Sequence, residues 1–229
     1  MTQPTAVEAA RLTALESRFA GARSSVEGLL SAILQASSHG GARRILFVAP
    51  RPGDGATTIA TMTAVGLARN LKAQVALLEL DVEEPGQASA LGIPARPGLS
   101  DYLDGEVSLE QCFRAVSGVP GLRTCPGGTP RPAIPGELAG ERARELFDEI
   151  SRAEGFVLID APALLGRFES RLALEFVDSS VLVCRARKSH RADCLRAVEA
   201  LKQSGTRLMG TVLNGYRSDL PFGLGDATG

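Results

Sequence analysis

From residue 43 onward, short apolar runs alternate with amphipathic stretches. Continuous apolar runs of about 4–8 residues are typical of parallel strands that are covered on both faces. The stretches between them carry apolar side chains at helical spacing. This alternation predicts an α/β fold, a mostly parallel sheet with helices on both faces. The predicted strands span 44–49, 75–80, 121–125, 156–160, 179–184 and 207–213, and the predicted helices span 57–71, 136–153, 167–177 and 191–204.

A different pattern precedes the sheet. Residues 5–36 contain few helix breakers, and their apolar side chains recur at alternating steps of three and four. This heptad-like seam predicts an N-terminal helix that either docks on its own domain or packs against a partner helix or a sister subunit. The Ser- and Gly-rich segment 37–41 predicts a short linker. The seam consists of Leu12, Leu15, Phe19, Ala22, Val26, Leu29 and Ile33.

The chain therefore divides into three predicted parts. Residues 1–41 form a helical extension with its linker, residues 42–215 form the α/β domain, and the Gly- and Asp-rich residues 216–229 form a tail that we expect to fray. Within the domain, the Pro- and Gly-rich segment 126–132 cannot continue the third strand and predicts a rigid surface loop. A chain of 229 residues is long enough to bury a full core.

Charge and composition narrow the function classes. The 25 basic and 26 acidic residues nearly cancel, so bulk electrostatics favour neither nucleic acid nor an acidic membrane. Aromatic residues make up 4% of the chain and tryptophan is absent, which disfavours a base-stacking surface. No apolar run reaches the ~18 residues that span a bilayer, and the N-terminus lacks the pattern of a signal peptide. We expect a cytoplasmic protein without direct membrane insertion.

The four cysteines show no metal-binding or disulfide pattern. Cys112, Cys125, Cys184 and Cys194 form no C-x-x-C pair, and the sequence has two histidines. This spacing favours free, buried thiols in a reducing compartment.

Residues 50–58, PRPGDGATT, resemble a phosphate-binding loop without its lysine. They lie between a predicted strand and a predicted helix, the context that the Walker A motif G-x-x-x-x-G-K-[ST] requires. Backbone N–H groups and the helix N-terminus can still bind an anion, but the ammonium group that reaches the β- and γ-phosphates is lost. Pro50 stands at the first glycine position. The candidate nucleotide-binding residues of the loop are Arg51, Gly53, Asp54, Gly55, Ala56 at the lysine position, Thr57 and Thr58.

Acidic residues follow two of the predicted strands. Asp81 ends the second strand, Glu83 comes two residues later, and Asp160 ends the fourth. Ligands of open α/β sheets bind at the carboxyl ends of the strands, so these three are candidate catalytic residues. Thr57, Asp81 and Asp160 could together hold Mg²⁺, directly or through water. A strand-end aspartate can instead cap the next helix.

These motifs resemble those of the bacterial tyrosine kinases of capsule and exopolysaccharide biosynthesis, a branch of the MinD/ParA-like P-loop ATPases. The family loop PGEGKST resembles PGDGATT at 52–58, and its D-x-D-x-x-x-P motif resembles DVEEP at 81–85, two residues shorter. Its GLSD-x-L-x-G block matches residues 98–105. The remaining similarities are a Pro-rich loop at 128–138, hhhD-T-P-P at 158–163, and V-L-N at 212–214, which adds Asn214 to the candidate nucleotide-binding residues.

The resemblance implies ATP and Mg²⁺ as cofactors, a membrane polysaccharide co-polymerase as partner, a homo-oligomer, and a location at the inner face of the membrane through that partner. Three departures from the family pattern predict a degenerate kinase. Ala56 replaces the lysine, whose charged hydrogen bonds are worth about 1.5–3 kcal/mol each. Leu30 and Ile33 replace the arginines of the E-x-x-R-x-x-R assembly motif, and Tyr216 is the single tyrosine where the family has a cluster.

Two other functions stay open. In MinD/ParA relatives, a signature lysine at the second loop position reaches a phosphate across a dimer. Arg51 holds that position and could replace the missing cation in an active kinase or ATPase. A MinD-like positioning ATPase is disfavoured because the chain lacks a C-terminal amphipathic membrane helix. The basic segment 185–191 could contact nucleotide or a partner's acidic face, or be a solvated loop.

Overall fold

The computed structural model describes residues 5–21, 23–38, 43–133, 136–153 and 155–216. Within them, seven strands form one sheet in the order β3-β4-β2-β5-β1-β6-β7. All neighbours pair in parallel except β3, which is antiparallel to β4. The predicted α/β fold is therefore confirmed. The strands are β1 Arg44–Val48, β2 Val75–Glu79, β3 Arg114–Ala115, β4 Leu122–Cys125, β5 Phe156–Asp160, β6 Ser179–Arg185 and β7 Arg207–Asn214.

The helices follow the predicted pattern with some interruptions. The predicted helix 136–153 is a 3-10 turn followed by α7, and the predicted helix 167–177 is α8 followed by another 3-10 turn, Leu174–Phe176. The short helices α4–α6, like β3, were not predicted. The helices are α1 Ala6–Gly21, α2 Arg23–Ser38, α3 Ala56–Leu71, α4 Gln87–Leu91, α5 Leu99–Leu103, α6 Leu109–Cys112, α7 Glu141–Ala153, α8 Phe168–Ala173 and α9 Arg191–Gln203.

The sheet separates two layers of apolar side chains. Ile45 and Phe47 of β1 pack into the layer that contains α2 and α3, whereas Leu46 and Val48 pack into the opposite layer. All four side chains are completely buried. Because alternate residues of a strand face opposite sides, a strand buried on both faces needs an unbroken apolar run. Each such side chain contributes about 1.5–3 kcal/mol on burial.

The N-terminal helices dock on their own domain. Val26 and Ile33 of the predicted seam are buried in the layer that contains α3, Leu12 is buried there too, and Leu29 is half-buried. The predicted single helix 5–36 is described as α1 and α2, with residue 22 outside the described residues. The side chains of the other seam residues, Leu15, Phe19 and Ala22, also lie outside the description.

The predicted linker and tail fall largely on residues that the structure does not describe. Helix α2 continues to Ser38, so it includes the first two residues of the predicted linker, and residues 39–42 lie outside the description. The tail after Tyr216 lies outside it as well, so the three-part division stays a prediction. None of the helices in the described residues is both long and apolar enough to cross a membrane. The four cysteines are free thiols, and all except Cys194 are buried.

Candidate nucleotide-binding site

A cavity of about 1530 Å³ opens at the carboxyl edge of the central strands. The loop from β1 to α3, the loop after β5 and the end of β7 line it. Within the first of these loops, Gly53 and Gly55 adopt φ angles of 80° and 104°. Only glycine adopts this left-handed region readily, and the turn at Gly55 aims the first N–H groups of α3 at the cavity. The loop therefore has the backbone of an anion site.

The side chains of the loop offer no cation at the lysine position. Ala56 begins α3 and its methyl group is buried, so no ammonium group extends from the lysine position. Thr57 and Thr58 are half-buried in the first turn of the helix. Asp54 is buried, which places a carboxylate inside an anion-binding loop. Asn214 closes the loop from β7, because its Nδ2 donates to the Asp54 carbonyl oxygen at 2.9 Å.

Asp160 is a buried carboxylate without compensation. It ends β5, is 2% exposed, and neither oxygen accepts a hydrogen bond of ordinary geometry from any described residue. Burial raises its pKa well above the ordinary value of 3.8, and the charges of Glu79 and Asp81 raise it further. The Thr57 hydroxyl opposes this rise. A buried charge without partners is costly, so the pocket around Asp160 favours either a proton or a metal cation.

Glu79 is a site residue that sequence reasoning missed. It ends β2, is 1% exposed, and lies opposite Asp160 in the β2–β5 register. Its Oε2 accepts the Gly127 N–H at 2.8 Å, and its Oε1 accepts the N–H groups of Gly86 and Gln87. Burial still raises the pKa of Glu79. The motif spacing contained a signal, since residues 79–85 read E-x-D-x-x-x-P and fit D-x-D-x-x-x-P without the two-residue shortening.

Asp81 and Glu83 are engaged by one arginine, also not predicted from the sequence. Arg167, in the loop after β5, pairs with Asp81 at 3.5 Å, with Glu83 at 2.8 Å and with Glu169 at 3.3 Å. Asp81 also accepts the N–H groups of Glu83 and Glu84, so it closes its own turn. Against burial, the bond to Glu169 and the acidic charges raise the pKa of Arg167.

These residues fit a magnesium ion that arrives with phosphate. The described residues contain no group of three or more His, Cys, Asp or Glu side chains that could hold a metal. Mg²⁺ is usually bound by one or two carboxylates together with substrate phosphates and water. The uncompensated Asp160 and the neighbouring Thr57 could supply the protein ligands. The carboxylate of Asp81, the third predicted ligand, already bonds to Arg167.

Two basic residues approach the loop from neighbouring elements. Arg51 is 52% exposed at its side chain and pairs with Asp193 of α9, with Nε 3.2 Å from Oδ2. Arg185 ends β6, and its Nη1 donates to the Gly53 carbonyl oxygen at 3.0 Å. The structure thus brings the first residue of the basic segment 185–191 onto the phosphate loop, while Arg51 points to its own subunit's helix.

The block at residues 98–105 holds residues 126–129, the start of the Pro- and Gly-rich loop, beside the site. Two of its backbone N–H groups donate to carbonyl oxygens of residues 126–129. The Asp101 carboxylate accepts the Gly98 N–H at 2.8 Å and the Thr129 hydroxyl at 2.5 Å. A Cβ added at Gly98 would lie within 2.5 Å of the loop backbone. The block therefore has a structural role: it positions the loop 126–129, whose Gly127 N–H donates to Glu79.

A phosphate loop that joins a central parallel strand to a helix, with acidic residues at the ends of the adjacent strands, defines a P-loop NTPase-like protein. No family model matches the chain. It is 29% identical over 176 residues to the tyrosine-protein kinase YwqD of Bacillus subtilis (strain 168), covering 76% of this chain and 73% of that protein. It is 27% identical over 191 residues to the tyrosine-protein kinase ptk of Acinetobacter johnsonii, covering 83% of this chain but 26% of that protein.

Solved structures give the same result for the fold. The chimerical protein CapA2B2 superposes with a TM-score of 0.79 at 22% identity, covering 84% of each chain. The VpsO kinase domain gives 0.75 at 25% identity, over 90% of this chain and 96% of that one. MinD of Pyrococcus horikoshii OT3, solved with Mg-ADP, gives 0.65 at 24% identity, over 77% and 72%. The resemblance to bacterial tyrosine kinases of capsule and exopolysaccharide systems, and to the MinD-type P-loop ATPases, is confirmed.

Proposed function

We propose that this protein is a tyrosine-kinase-like component of exopolysaccharide or capsule biosynthesis that has lost efficient phosphoryl transfer. It works at the cytoplasmic face of the membrane with a membrane polysaccharide co-polymerase, as a docking or assembly module. The similarity to bacterial tyrosine kinases supports the pathway. The observation that carries the loss of transfer is Ala56, a buried methyl group at the lysine position of the phosphate loop.

Phosphoryl transfer depends almost entirely on positive charge placed around the transferring group. A charged hydrogen bond is worth about 1.5–3 kcal/mol, so losing the lysine weakens nucleotide binding by about tenfold to a hundredfold. The predicted substitute, Arg51, is held by Asp193 in its own subunit, and Arg167 is held by three carboxylates. These ion pairs support weak binding and slow transfer.

Assembly through the family's arginine motif is also disfavoured. Leu30 and Ile33, at the two arginine positions, are 4% and 0% exposed under the protein's own domain. Their burial supports an intramolecular use of α2. If the protein forms a homo-oligomer, it therefore does so through another surface. The single candidate acceptor of a phosphoryl group in the tail is Tyr216, which is 66% exposed.

A second candidate is a working Mg-nucleotide enzyme, either a kinase or an ATPase. The buried carboxylate of Asp160 favours it, because a metal ion would supply the positive charge that two buried oxygens without hydrogen-bond donors lack. In this enzyme Arg51 would leave Asp193 and contact the phosphates. The MinD-like positioning ATPase has a similar fold in its favour, and no contact in the described residues adds to that.

The test compares the wild type with Ala56→Lys and Ala56→Gln. Mg-ATP binding is measured by titration calorimetry, and turnover by phosphate release and by tyrosine phosphorylation. We expect no turnover by the wild type, and binding about tenfold tighter or more in Ala56→Lys. Ala56→Gln controls for side-chain length without charge and should bind like the wild type. Steady phosphate release by the wild type that disappears in Asp160→Ala would establish the enzyme instead.

The partner role has a separate readout. The proposal predicts that a strain lacking this protein loses or alters its exported polysaccharide, and that both the wild type and Asp160→Ala restore it. If Asp160→Ala fails to restore the polymer while it still folds and still co-purifies with the co-polymerase, the site has a catalytic task and the docking role is refuted.

A further inference from the structure

Among the described residues, three arginines line the cavity, and they differ in what they contact. Arg51 is paired with Asp193, and Arg167 with the cluster around Asp81. Arg185 instead donates to a neutral acceptor, the Gly53 carbonyl oxygen, at 3.0 Å. Moving a guanidinium away from a carboxylate breaks an ion pair, whereas moving it away from a carbonyl breaks a weaker bond to a neutral group. Of these three arginines, Arg185 therefore loses the least interaction energy when its side chain moves to contact a ligand.

The position of Arg185 is fixed by the sheet. It is the last residue of β6 and pairs in register with Asn214 of β7. Its backbone N–H donates to the Ser189 Oγ at 2.7 Å, which closes the turn that follows. That turn carries Lys188, whose Nζ would lie 2.9 Å from a Cβ added at Gly53. Two cations, one at the end of β6 and one in the turn that follows it, thus lie near one glycine of the phosphate loop.

We propose that Arg185 and Lys188 bind the polyphosphate of a Mg-nucleotide within the same subunit, and so supply the positive charge that Ala56 lacks. The guanidinium group presents a planar pair of donors that matches phosphate oxygens, and the ammonium adds a second charge at the rim. Asp160, next in sequence to Ala161 of the cavity wall, has two buried oxygens without hydrogen-bond partners, which independently indicates a ligand that brings a cation. This inference deepens the proposed function by naming the ligand class, and it concerns binding rather than transfer.

The test is a Mg-ADP titration of the full chain by calorimetry at low and physiological salt. Variants are Arg185→Gln, Arg185→Lys, Lys188→Gln and Arg207→Gln. Arg207 is an exposed residue at the start of β7, so it lies at the amino ends of the strands, away from the carboxyl ends where the cavity opens. Its substitution controls for the change in net charge. We expect about tenfold weaker binding in Arg185→Gln, a smaller loss in Lys188→Gln, partial recovery in Arg185→Lys, and no change in Arg207→Gln. Thermal unfolding checks that all variants fold.

The outcomes separate this inference from the proposed function. If Arg185→Gln binds Mg-ADP as tightly as Arg207→Gln does, the inference is wrong. It is also wrong if the wild type fails to bind while Ala56→Lys binds, although the proposed loss of kinase activity would then stand. If the wild type binds through Arg185 and also releases phosphate steadily, the inference stands and the proposed function fails.

Discussion

Replacing Asp160 with asparagine should stabilise the nucleotide-free protein, although it removes a predicted site residue. The carboxylate is 2% exposed and accepts no hydrogen bond of ordinary geometry from the described residues, although the Thr57 hydroxyl partly opposes the rise of its pKa. Asparagine keeps polar atoms at this place but removes the charge, and since a buried charged group without partners costs more than a neutral one, we expect a gain on the order of 1–3 kcal/mol. For a domain of this size, 1 kcal/mol corresponds to a shift of about 2–4 °C in the unfolding temperature. We therefore expect Asp160→Asn to unfold roughly 2–12 °C higher than the wild type at pH 8.

The pH dependence follows from the raised pKa of Asp160. Between the ordinary carboxyl value of 3.8 and the raised value, the folded state binds more protons than the unfolded state. The contribution of Asp160 to stability therefore falls as the pH rises through this window. Asparagine does not titrate, so the advantage of Asp160→Asn should be larger at pH 8 than at pH 5. Scanning calorimetry without nucleotide or Mg²⁺ measures both differences.

Asp178 is the matched control because its pKa shifts in the opposite direction. Against burial, hydrogen bonds from the Arg44 side chain and from the backbone of Arg43 and Arg44 lower the pKa of Asp178. This stabilisation is present above the ordinary carboxyl pKa and is lost only at lower pH. Asp178→Asn should therefore lower the unfolding temperature similarly at pH 5 and pH 8. If Asp160→Asn behaves like Asp178→Asn, the Asp160 carboxylate has a compensating partner and the reasoning is refuted.

Two further predictions concern packing. Gly98→Ala places a Cβ within 2.5 Å of the backbone of the loop 126–129, so we expect a loss of about 1–3 kcal/mol in the free energy of unfolding. Urea titration measures this loss, and an unchanged value would show that the loop moves freely. Ile33→Ala should lower the free energy of unfolding by about 2–5 kcal/mol, because Ile33 is fully buried. The neighbouring Leu34 is 39% exposed, so Leu34→Ala should lower it far less. Equal losses would contradict the docking of α2 on its own domain.

The strands and the phosphate loop were predictable because their signals are local. β1 and β2 each contain four consecutive apolar residues, 45–48 and 75–78, because both faces of the sheet are covered. The glycines of residues 50–58 stand between a strand and a helix. The strand β3 and the helices α4–α6 were missed because segments of two to five residues contain too few positions to show a period. Their conformation depends on the loops and strands around them.

The composition of the site was predictable only in part, because it depends on which strands are neighbours. The sheet order places β2 beside β5, which brings Glu79 next to Asp160 across 81 positions of sequence (160 minus 79). In the sequence, Glu79 reads as one polar residue within an apolar strand. Arg167 belongs to a loop and Arg185 ends β6, and their contacts with Asp81 and Gly53 depend on tertiary structure that no periodicity reports.

The ion pair between Arg51 and Asp193 makes two uses of the same guanidinium mutually exclusive. A side chain that holds its own α9 cannot at the same time reach a phosphate in a second subunit, so any such association has to exchange one contact for the other. Asp193 would not be left alone in that exchange, because Arg196 also binds it. Contact between subunits would therefore change the start of α9 within each subunit, because Asp193 and the phosphate would compete for Arg51.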